Sequence, residues 1–486
     1  MHFDPHDMRF TDTERGRERC AVAGSDRDLS WGELEAQTRR WMMRARDLGA
    51  RADTPIVLWG HKQAAFFTAM TACLELGAPF VPVDTIYPES RRRRIADLVG
   101  AGLLYRADAD AFEPTGHDAT PLAEKGLAYV LFTSGSTGEP KGVQIGRESV
   151  ELLARWLRTD FQLGAAPVFM NQAPFSFDLS MFEVFGTLAS GGTCVLNSRE
   201  QIRDGRSYIE RLAHRGITCW VSTPSFAHQQ LLEETFSAKT LPSLHTFLFC
   251  GEVLPRSVCQ RLKRRFPCAR ILNTYGPTEA TVATTLVEID QKILDECAVL
   301  PVGYAKPDAT IETRDGEICI IGNHVMRGYL NRPDLNQSRM FRDASGRRGL
   351  RTGDLGRLDA GGLLWCEGRR DDQVKLNGYR IELAEISSSL QALNGIKNAT
   401  CLALRRPDNT VARLVGFVEL KECGRPDTAK PWTPYPIKNW KPALAHHLPA
   451  YMLPSEIIVV DALPTSINHK IDRKTLLDTY KVRAVG

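Results

Sequence analysis

The residues with the clearest chemical potential form a loop of hydroxyl, glycine and lysine residues. The loop reads TSGSTGEPKG from Thr133, and the apolar run YVLF before it predicts a short buried strand. Glycine lets backbone N–H groups approach an anion closely, hydroxyls add donors, and Lys141 adds a positive charge. The loop therefore predicts a phosphate-binding site, followed by a helix over residues 150–157. Its candidate phosphate-binding residues are Thr133, Ser134, Gly135, Ser136, Thr137, Gly138 and Lys141.

The spacing of this loop differs from that of a Walker A loop. Walker A places four residues between its first glycine and a Gly-Lys-Ser/Thr run, and that spacing is absent here. A Ser/Gly linker is the alternative, but linkers seldom follow a buried strand or lead into Pro-Lys-Gly. The sequence therefore favours a phosphate loop and disfavours a P-loop motor or kinase.

Two further motifs carry residues suited to a nucleotide. In NTYGPTE, Tyr275 could stack on a base, while Thr278 and Glu279 could serve phosphate and Mg²⁺. Mg²⁺ prefers one or two carboxylates together with substrate phosphates. A polar surface turn is the alternative interpretation. In RTGDL, Asp354 could receive ribose hydroxyls, as acidic residues do in nucleotide sites.

Another acidic residue, Asp178, lies among apolar and aromatic neighbours in the run FSFDLSMF. A carboxylate there is costly to bury unless it has a cationic or hydrogen-bonding partner. One interpretation is that Asp178 binds a substrate ammonium group. The other is a helix N-cap, a position that Asp favours. Taken alone, the residues favour the cap.

The elements that would position these residues alternate between strand and helix patterns. Strands are predicted over residues 55–59 and 78–84, with a helix over 63–76 between them. This order predicts an α/β fold with parallel sheets. Further buried strands are predicted over 219–225 and 246–250. Ligands of α/β sheets gather at the carboxyl ends of strands, where the polar motifs lie.

The composition is that of a soluble globular protein, with 43% hydrophobic and 25% charged residues in a chain of 486. That length predicts two or more domains. The net charge of +4 gives no support to a nucleic-acid surface, and the run of arginines at 91–94 is interpreted as a solvated helix face.

The chain offers no segment suited to a signal peptide or a transmembrane helix. We therefore expect a cytoplasmic protein without membrane insertion. The twelve cysteines include no CxxC pair, so neither a zinc site nor a disulfide framework is expected.

The charged run GRRDDQVK predicts a domain boundary. We expect a large domain of residues 1–370 and a small α+β domain of residues 371–486. The small domain should contain strands near 397–404 and 414–420, and the run LPTSINHKID near its end presents Lys470 on a turn.

Taken in order, TSGSTGEPKG, NTYGPTE, RTGDL and GRRDDQVKLNGYRIEL are highly specific. With these motifs the chain resembles the adenylate-forming superfamily, and within it the amino-acid adenylation enzymes, from Leu29 to Arg473. The resemblance implies a large N-terminal domain of layered α/β subdomains and a small mobile C-terminal α+β domain. Such enzymes convert ATP and a carboxylic acid into an acyl-adenylate and pyrophosphate, and a thiol then takes the acyl group.

The resemblance also implies a role for each matched residue. The glycine-rich loop would hold the β- and γ-phosphates of ATP, Glu279 would ligate Mg²⁺, and Tyr275 would pack on the adenine. Asp371 would be the hinge of the small domain. Lys470 would be the catalytic lysine at the carboxylate and α-phosphate, although His469 replaces the usual glycine before it. The other ATP-binding residues would be Asn273, Thr274, Thr278, Asp354 and Arg369.

A pocket for a small amino acid is implied as well, with Asp178 on the α-amino group and apolar residues limiting the side chain. The runs VSTPSF, FLFCGEVLP and NTYGPTEATVA are especially similar to those of D-alanine:D-alanyl carrier protein ligases. Cys250 could help select the hand of the substrate, or be a plain buried thiol. The pocket residues are Asp178, Leu179, Phe182, Ser225, Leu248, Cys250, Thr274, Val282 and Ala283.

The leading hypothesis is a ligase that adenylates a small amino acid, D-alanine first. The thiol would belong to a separate phosphopantetheine carrier protein, since no carrier-domain serine motif follows Arg473. One alternative is the activation of L-Ala, Gly, Ser or Pro for a secondary-metabolite carrier. Another is an acyl-CoA synthetase. A nucleotide sensor without turnover is disfavoured by Glu279 and Lys470.

Overall fold

The computed structural model describes residues 3–4, 9–10, 16–135, 139–406, 410–421, 432–464 and 471–485. The chain forms two compact units. The first comprises Met1–Thr85, Ala96–Phe132 and Gly142–Arg370, and the second comprises Ile86–Ile95, Thr133–Lys141 and Asp371–Gly486. Within the described residues, no helix combines the length and the apolar character needed to cross a membrane.

The strands, in chain order, are β1 Phe3–Asp4, β2 Arg9–Phe10, β3 Cys20–Ala23, β4 Asp28–Ser30, β5 Ile56–Gly60, β6 Phe80–Asp84, β7 Leu103–Arg106, β8 Ala111–Pro114, β9 Leu127–Thr133, β10 Lys141–Gly146, β11 Val168–Asn171, β12 Thr193–Leu196, β13 Cys219–Ser222, β14 Thr246–Phe249, β15 Arg270–Tyr275, β16 Thr285–Glu288, β17 Tyr304–Ala305, β18 Thr310–Arg314, β19 Glu317–Ile321, β20 Gly328–Tyr329, β21 Met340–Arg342, β22 Arg348–Leu358, β23 Leu364–Arg369, β24 Gln373–Leu376, β25 Tyr379–Glu382, β26 Ile396–Arg405, β27 Val411–Leu420, β28 Thr433–Pro434 and β29 Glu456–Val460.

The α-helices, in chain order, are α1 Trp31–Asp47, α2 Ala64–Leu76, α3 Glu89–Val99, α4 Arg147–Thr159, α5 Met181–Ser190, α6 Arg199–Arg203, α7 Gly205–His214, α8 Pro224–Gln230, α9 Arg256–Arg265, α10 Gln291–Glu296, α11 Pro333–Arg339, α12 Leu383–Gln391, α13 Ile437–Ala445 and α14 Arg473–Val485.

Two large sheets form the centre of the first unit. One has the order β20-β10-β9-β6-β5-β7-β8, and the other has the order β17-β16-β15-β14-β13-β11-β12-β3-β4. The inner pairs β5/β6, β11/β13, β13/β14 and β14/β15 are parallel. The α/β fold class predicted from the alternation of strands and helices is therefore confirmed. A smaller sheet joins β18, β19, β22, β21 and β23.

Local sequence explains how these elements begin and why they are buried. Ser30 caps α1: the Glu33 amide donates to Ser30 Oγ at 3.2 Å, and the Ser30 amide donates to Glu33 Oε2 at 2.7 Å. This reciprocal capping box satisfies two amide groups at the helix start. In β5 the run IVLWG is apolar on both faces, as expected for a parallel strand covered on both sides.

Two predicted elements differ from those observed. Strand β10 lies between the phosphate loop and α4, where the sequence predicted only a loop and a helix. The strand predicted over 219–225 ends at Ser222, and Pro224 begins α8. Proline favours the first turn of a helix because the amide it lacks would have no intrahelical partner there.

The second unit contains the hairpin β24-β25 and a sheet of order β26-β27-β29-β28. Strands β26 and β27 are antiparallel, whereas β27 and β29 are parallel. Helix α14 packs on this sheet, with Tyr480 and Phe417 ring centroids 5.6 Å apart. Arg91, predicted to lie on a solvated face, is instead buried in this unit and ion-paired with Glu385 at 2.7 Å.

Candidate functional site

The candidate amino-acid pocket is built at the carboxyl ends of neighbouring parallel strands. Strands β11, β13, β14 and β15 are adjacent and parallel, so the residues after them meet at one edge of the sheet. Ser225 follows β13, Cys250 follows β14, and Thr274 lies near the end of β15. Asp178 and Phe182 lie on the turn and helix that follow β11.

The predicted pocket residues are largely buried. Leu179, Phe182, Leu248, Cys250, Val282 and Ala283 belong to one apolar cluster. Two contacts fix the backbone beside it: Thr274 Oγ1 donates to the Phe249 carbonyl at 2.8 Å, and the Cys250 thiol lies 3.7 Å from the Val282 carbonyl. Ser225 is half-buried, and its amide donates to Glu252 Oε2 at 3.1 Å.

Asp178 does not cap a helix. It is the first residue of a 3₁₀ turn, Asp178–Ser180, whose N-cap position is held by Phe177 without a side-chain hydrogen bond. The cap interpretation from the sequence is therefore wrong. Asp178 lies close to Tyr129, since its carboxylate adds to the effect of burial in raising the pKa of that phenol well above 10. The Tyr129 hydroxyl is buried and has no hydrogen-bond partner among the described residues.

A second cluster in the first unit joins Tyr275, Asp354 and Arg369. The Tyr275 hydroxyl donates to Asp354 Oδ2 at 2.6 Å, and Arg369 Nη1 donates to Asp354 Oδ1 at 2.5 Å. Burial and the nearby Asp354 carboxylate raise the pKa of Tyr275 well above its usual value, so the phenol stays a donor. The predicted base-stacking and ribose-binding residues are thus in contact. Asn273 instead uses its side chain internally, donating to the Pro301 carbonyl at 2.8 Å.

The Glu279 carboxylate, assigned to Mg²⁺, is buried with 1% exposure. Its Oε1 accepts a hydrogen bond of 2.7 Å from the Tyr329 hydroxyl. No group of three or more His, Cys, Asp or Glu side chains suited to a metal occurs in the described part of the chain. A lone buried carboxylate fits Mg²⁺ that arrives with a nucleotide, because that ion takes few protein ligands beside substrate phosphates. Thr278, the residue before it, is also buried.

The turn from Gly276 to the pocket is tightly folded. A Cβ at Gly276 would lie 2.6 Å from the Ala283 Cα, so no other residue fits there without moving backbone. Thr281 and Val282 have φ values of 55° and 68°, in the left-handed region. Such a conformation is rare for a β-branched residue and persists only where its surroundings hold it.

The glycine-rich loop belongs to the second unit and is bonded to β25 and α12. Lys141 Nζ donates to Glu382 Oε1 at 2.9 Å, and the Gly135 amide donates to Glu385 Oε2 at 3.3 Å. Ser134 Oγ donates to the Arg380 carbonyl at 2.9 Å. Each of these three donors can bind an oxyanion, and here Lys141 and Gly135 donate to a carboxylate.

Two further loop features fit phosphate binding. The Thr133 hydroxyl is buried without a hydrogen-bond partner among the described residues. A Cβ at Gly135 would lie 1.9 Å from the Glu139 carbonyl oxygen, which explains the need for glycine. The loop residues Ser136, Thr137 and Gly138 lie outside the described residues.

The predicted hinge and catalytic lysine also belong to the second unit. Asp371 is exposed, and the Gln373 amide donates to its Oδ1 at 3.3 Å. Lys470 lies outside the described residues. The residues flanking that stretch are joined, since the Asp472 amide donates to the Pro464 carbonyl at 2.7 Å.

Sequence reasoning missed two tyrosines. Tyr129 was read only as part of a buried strand, and Tyr329 was not singled out. Tyr329 is 50 residues from Glu279 in sequence, and its hydroxyl reaches that carboxylate only in the fold. No signal in a single sequence distinguishes either residue from an ordinary buried aromatic.

Comparison with known proteins shows which families and folds this chain is similar to. The sequence matches the family of AMP-binding enzymes over residues 10–119 and 103–330. It is 36% identical over 490 residues to a D-alanine–D-alanyl carrier protein ligase of Bacillus velezensis, covering 94% of this chain and 95% of that protein. It is 37% identical over 457 residues to the protein of the same name from Bacillus cereus, covering 87% of this chain and 89% of the relative.

A solved structure of the same fold is the Vibrio cholerae adenylation domain AlmE in complex with glycyl-adenosine-5'-phosphate. It superposes with a TM-score of 0.81, covering 98% of this chain and 97% of that chain, at 20% sequence identity. At that identity the likeness shows the fold alone. It supports a large N-terminal domain with a small C-terminal domain.

Proposed function

Because the chain belongs to the AMP-binding enzyme family, we propose that it activates D-alanine as an aminoacyl-adenylate and loads it onto a separate carrier protein. The observation that carries this proposal is the match to D-alanine–D-alanyl carrier protein ligases over 94% of the chain. ATP and D-alanine would be the substrates of the first step. The phosphopantetheine thiol of the carrier would accept the acyl group in the second, and the cytoplasm would be the site of both.

The amino acid would bind with its ammonium group on Asp178. That carboxylate lies at the end of the turn after β11, beside the apolar cluster that contains Leu179 and Phe182. A charge-assisted hydrogen bond in such surroundings is stronger than one in water. Most of the proposed pocket residues are apolar and buried, so a small apolar substituent such as a methyl group is the best match.

The nucleoside would bind at the Tyr275, Asp354 and Arg369 cluster. Tyr275 presents its ring to the adenine, and its hydroxyl together with Arg369 orients the Asp354 carboxylate toward the ribose hydroxyls. Arg369 and Asp354 are 13% and 7% exposed, so the carboxylate is held in low dielectric surroundings. Asn273 and Thr274 would line the same pocket through their backbone.

The triphosphate would bind the loop through Thr133, Ser134, Gly135 and Lys141, together with Ser136, Thr137 and Gly138. Glu279 and the phosphates would hold Mg²⁺, with Thr278 touching phosphate. When bound, this ion neutralises charge on the phosphate oxygens. Tyr329 keeps Glu279 oriented by donating to its Oε1 at 2.7 Å.

The first reaction needs positive charge more than a base. The amino-acid carboxylate is already ionised, so it attacks the α-phosphorus directly, a bond to that phosphorus forms, and pyrophosphate leaves with the bridging oxygen. Both reactants are anions, and Lys470 would offset their repulsion and match the charge that develops in the transition state. In the second reaction the thiolate attacks the acyl carbon and AMP leaves. Asp371 would be the hinge between the two steps.

The test is carrier loading with D-alanine, Mg²⁺-ATP and a phosphopantetheinylated carrier protein. We expect one AMP for each aminoacyl-thioester formed. Asp178→Asn should raise the KM for D-alanine about 10- to 150-fold, because it removes a charged hydrogen bond worth ~1.5–3 kcal/mol. Asp334→Asn, at an exposed carboxylate on α11, is the matched control. An unchanged KM for D-alanine in Asp178→Asn would refute the assignment of Asp178 to the amino group.

A further inference from the structure

A buried lysine outside the assigned site is hydrogen-bonded to the turn of residues 281–284, which carries predicted residues of the amino-acid pocket. Lys306 is 3% exposed. Its Nζ donates to the Ala283 carbonyl at 3.2 Å, and its backbone amide donates to the Thr284 carbonyl at 2.8 Å. One residue thus holds two consecutive carbonyls of the turn, and the first belongs to a predicted pocket residue.

That turn needs external support. Thr281 and Val282 lie in the left-handed region, which a β-branched residue adopts only when held. Support comes from His324, whose carbonyl accepts from Thr281 Oγ1 at 2.6 Å and whose Nε2 lies 3.1 Å from Thr284 Oγ1. Lys306 and His324 therefore both hold the segment from Thr281 to Thr284 by hydrogen bonds.

Lys306 also contacts α4, the helix that packs against α5, which carries Phe182. Its ammonium lies 5.3 Å from the centroid of the Trp156 ring on α4, a cation–π geometry. Trp156 packs edge-on against Phe161 at 4.8 Å, and Phe161 lies 6.0 Å from Phe182, a predicted pocket residue. A chain of packed aromatic rings therefore connects Lys306 to Phe182.

We propose that Lys306 is a positioning and specificity-determining residue, which sets the width of the amino-acid pocket by holding Ala283 and Val282 against the wall formed by Phe182. This inference rests on the proposed function, because it takes those residues to line the amino-acid site. With the ammonium removed, the left-handed turn relaxes away from Phe182. The pocket then fits a methyl side chain less closely and accepts a larger one more readily.

The charge of Lys306 gives this arrangement a pH dependence. Burial lowers the pKa of Lys306 to about 7, and the carboxylate of Asp308 partly offsets that effect. The other titratable group facing it is His324, whose pKa is driven well below 6.5 by burial, by Lys306 and by Arg348, so it stays neutral. The ammonium is thus present below pH 7 and lost above it. The charged hydrogen bond from Lys306 Nζ to the Ala283 carbonyl therefore weakens as the pH rises through 7.

The test is the wild-type protein and Lys306→Met in ATP–pyrophosphate exchange, with D-alanine and D-valine as probes. We expect Lys306→Met to raise the KM for D-alanine about 10-fold, the effect of losing a charged hydrogen bond, with the ATP KM unchanged. The preference for D-alanine over D-valine in kcat/KM should fall. Arg158→Met is the matched control, because this cation lies on the same helix as Trp156 but is exposed.

The pH profile separates this role from a purely structural one, and its wild-type measurement needs no variant. In the wild type, the KM for D-alanine should rise between pH 6 and pH 8, and Lys306→Met should show no such rise. A flat wild-type profile, or a variant with unchanged KM and selectivity, would overturn the inference and leave the proposed function standing. A wild-type protein that exchanges with no small amino acid would overturn both.

Discussion

Replacing Tyr275 with Phe removes one hydroxyl and keeps the ring that would stack on adenine. The hydroxyl donates to Asp354 at 2.6 Å inside a buried cluster. A hydrogen bond to a charged group contributes ~1.5–3 kcal/mol, which corresponds to about 10- to 150-fold in binding. Since Arg369 still holds the other oxygen of Asp354, we expect the lower part of that range. The KM for ATP should therefore rise about 10-fold, with the KM for D-alanine unchanged.

The first unit provides a matched control for this change. Tyr105 is also buried, and its hydroxyl donates to Asp110 at 2.7 Å, away from the candidate site. Tyr105→Phe removes the same chemical group from a carboxylate, but the Asp110 side chain is 55% exposed where that of Asp354 is 7%, so Tyr275→Phe should lose more thermal stability. Steady-state exchange kinetics and a melting curve on each variant separate the two effects. Equal ATP KM values in Tyr275→Phe and Tyr105→Phe would refute the assignment of the nucleoside site.

Three further predictions concern the second unit. Lys470→Ala should abolish adenylate formation without unfolding the protein, while the control Lys474→Ala on α14 should retain adenylate formation. ATP–pyrophosphate exchange measures activity and circular dichroism measures folding. Substantial exchange by Lys470→Ala would refute its catalytic role. Asp371→Pro should impair thioester formation more than adenylation, because proline restricts φ at the hinge; equal loss in the two half-reactions would contradict a hinge. Glu382→Gln should lower the KM for ATP about 3- to 10-fold, because the Glu382 carboxylate competes with phosphate for Lys141 and this competition weakens ATP binding by ~1 kcal/mol. An unchanged or raised KM for ATP would show that the carboxylate and the phosphate do not compete.

Much of the fold follows from local patterns. The alternation of apolar runs with amphipathic segments predicts β5, α2 and β6 because strand and helix periods differ and each run is long enough to express its period. Strand β10 was missed, because its sequence KGVQIG is bounded by lysine and glycine and shows neither period clearly. The extent of β13 was overestimated, since TPS after it was read as strand rather than as a proline-led helix start.

Part of the candidate site could also be predicted from local sequence, and part could not. Short motifs predicted Tyr275 and Asp354 as nucleotide residues, and the fold brings the two side chains into contact. The sequence alone does not show which residues that are far apart in the chain contact each other in the fold. Arg91 was read as a solvated residue because its partner, Glu385, is 294 residues away. The contact between the Tyr329 hydroxyl and Glu279 is hidden for the same reason.

The most direct measurement of the central claim is ATP–pyrophosphate exchange across D-alanine, L-alanine, glycine, serine and proline. This assay reports adenylate formation without a carrier protein. We predict the highest kcat/KM for D-alanine, with weaker exchange for the other four. Strong exchange with another amino acid and none with D-alanine would contradict the substrate assignment, and exchange with a simple acid that lacks an amino group would contradict the role given to Asp178.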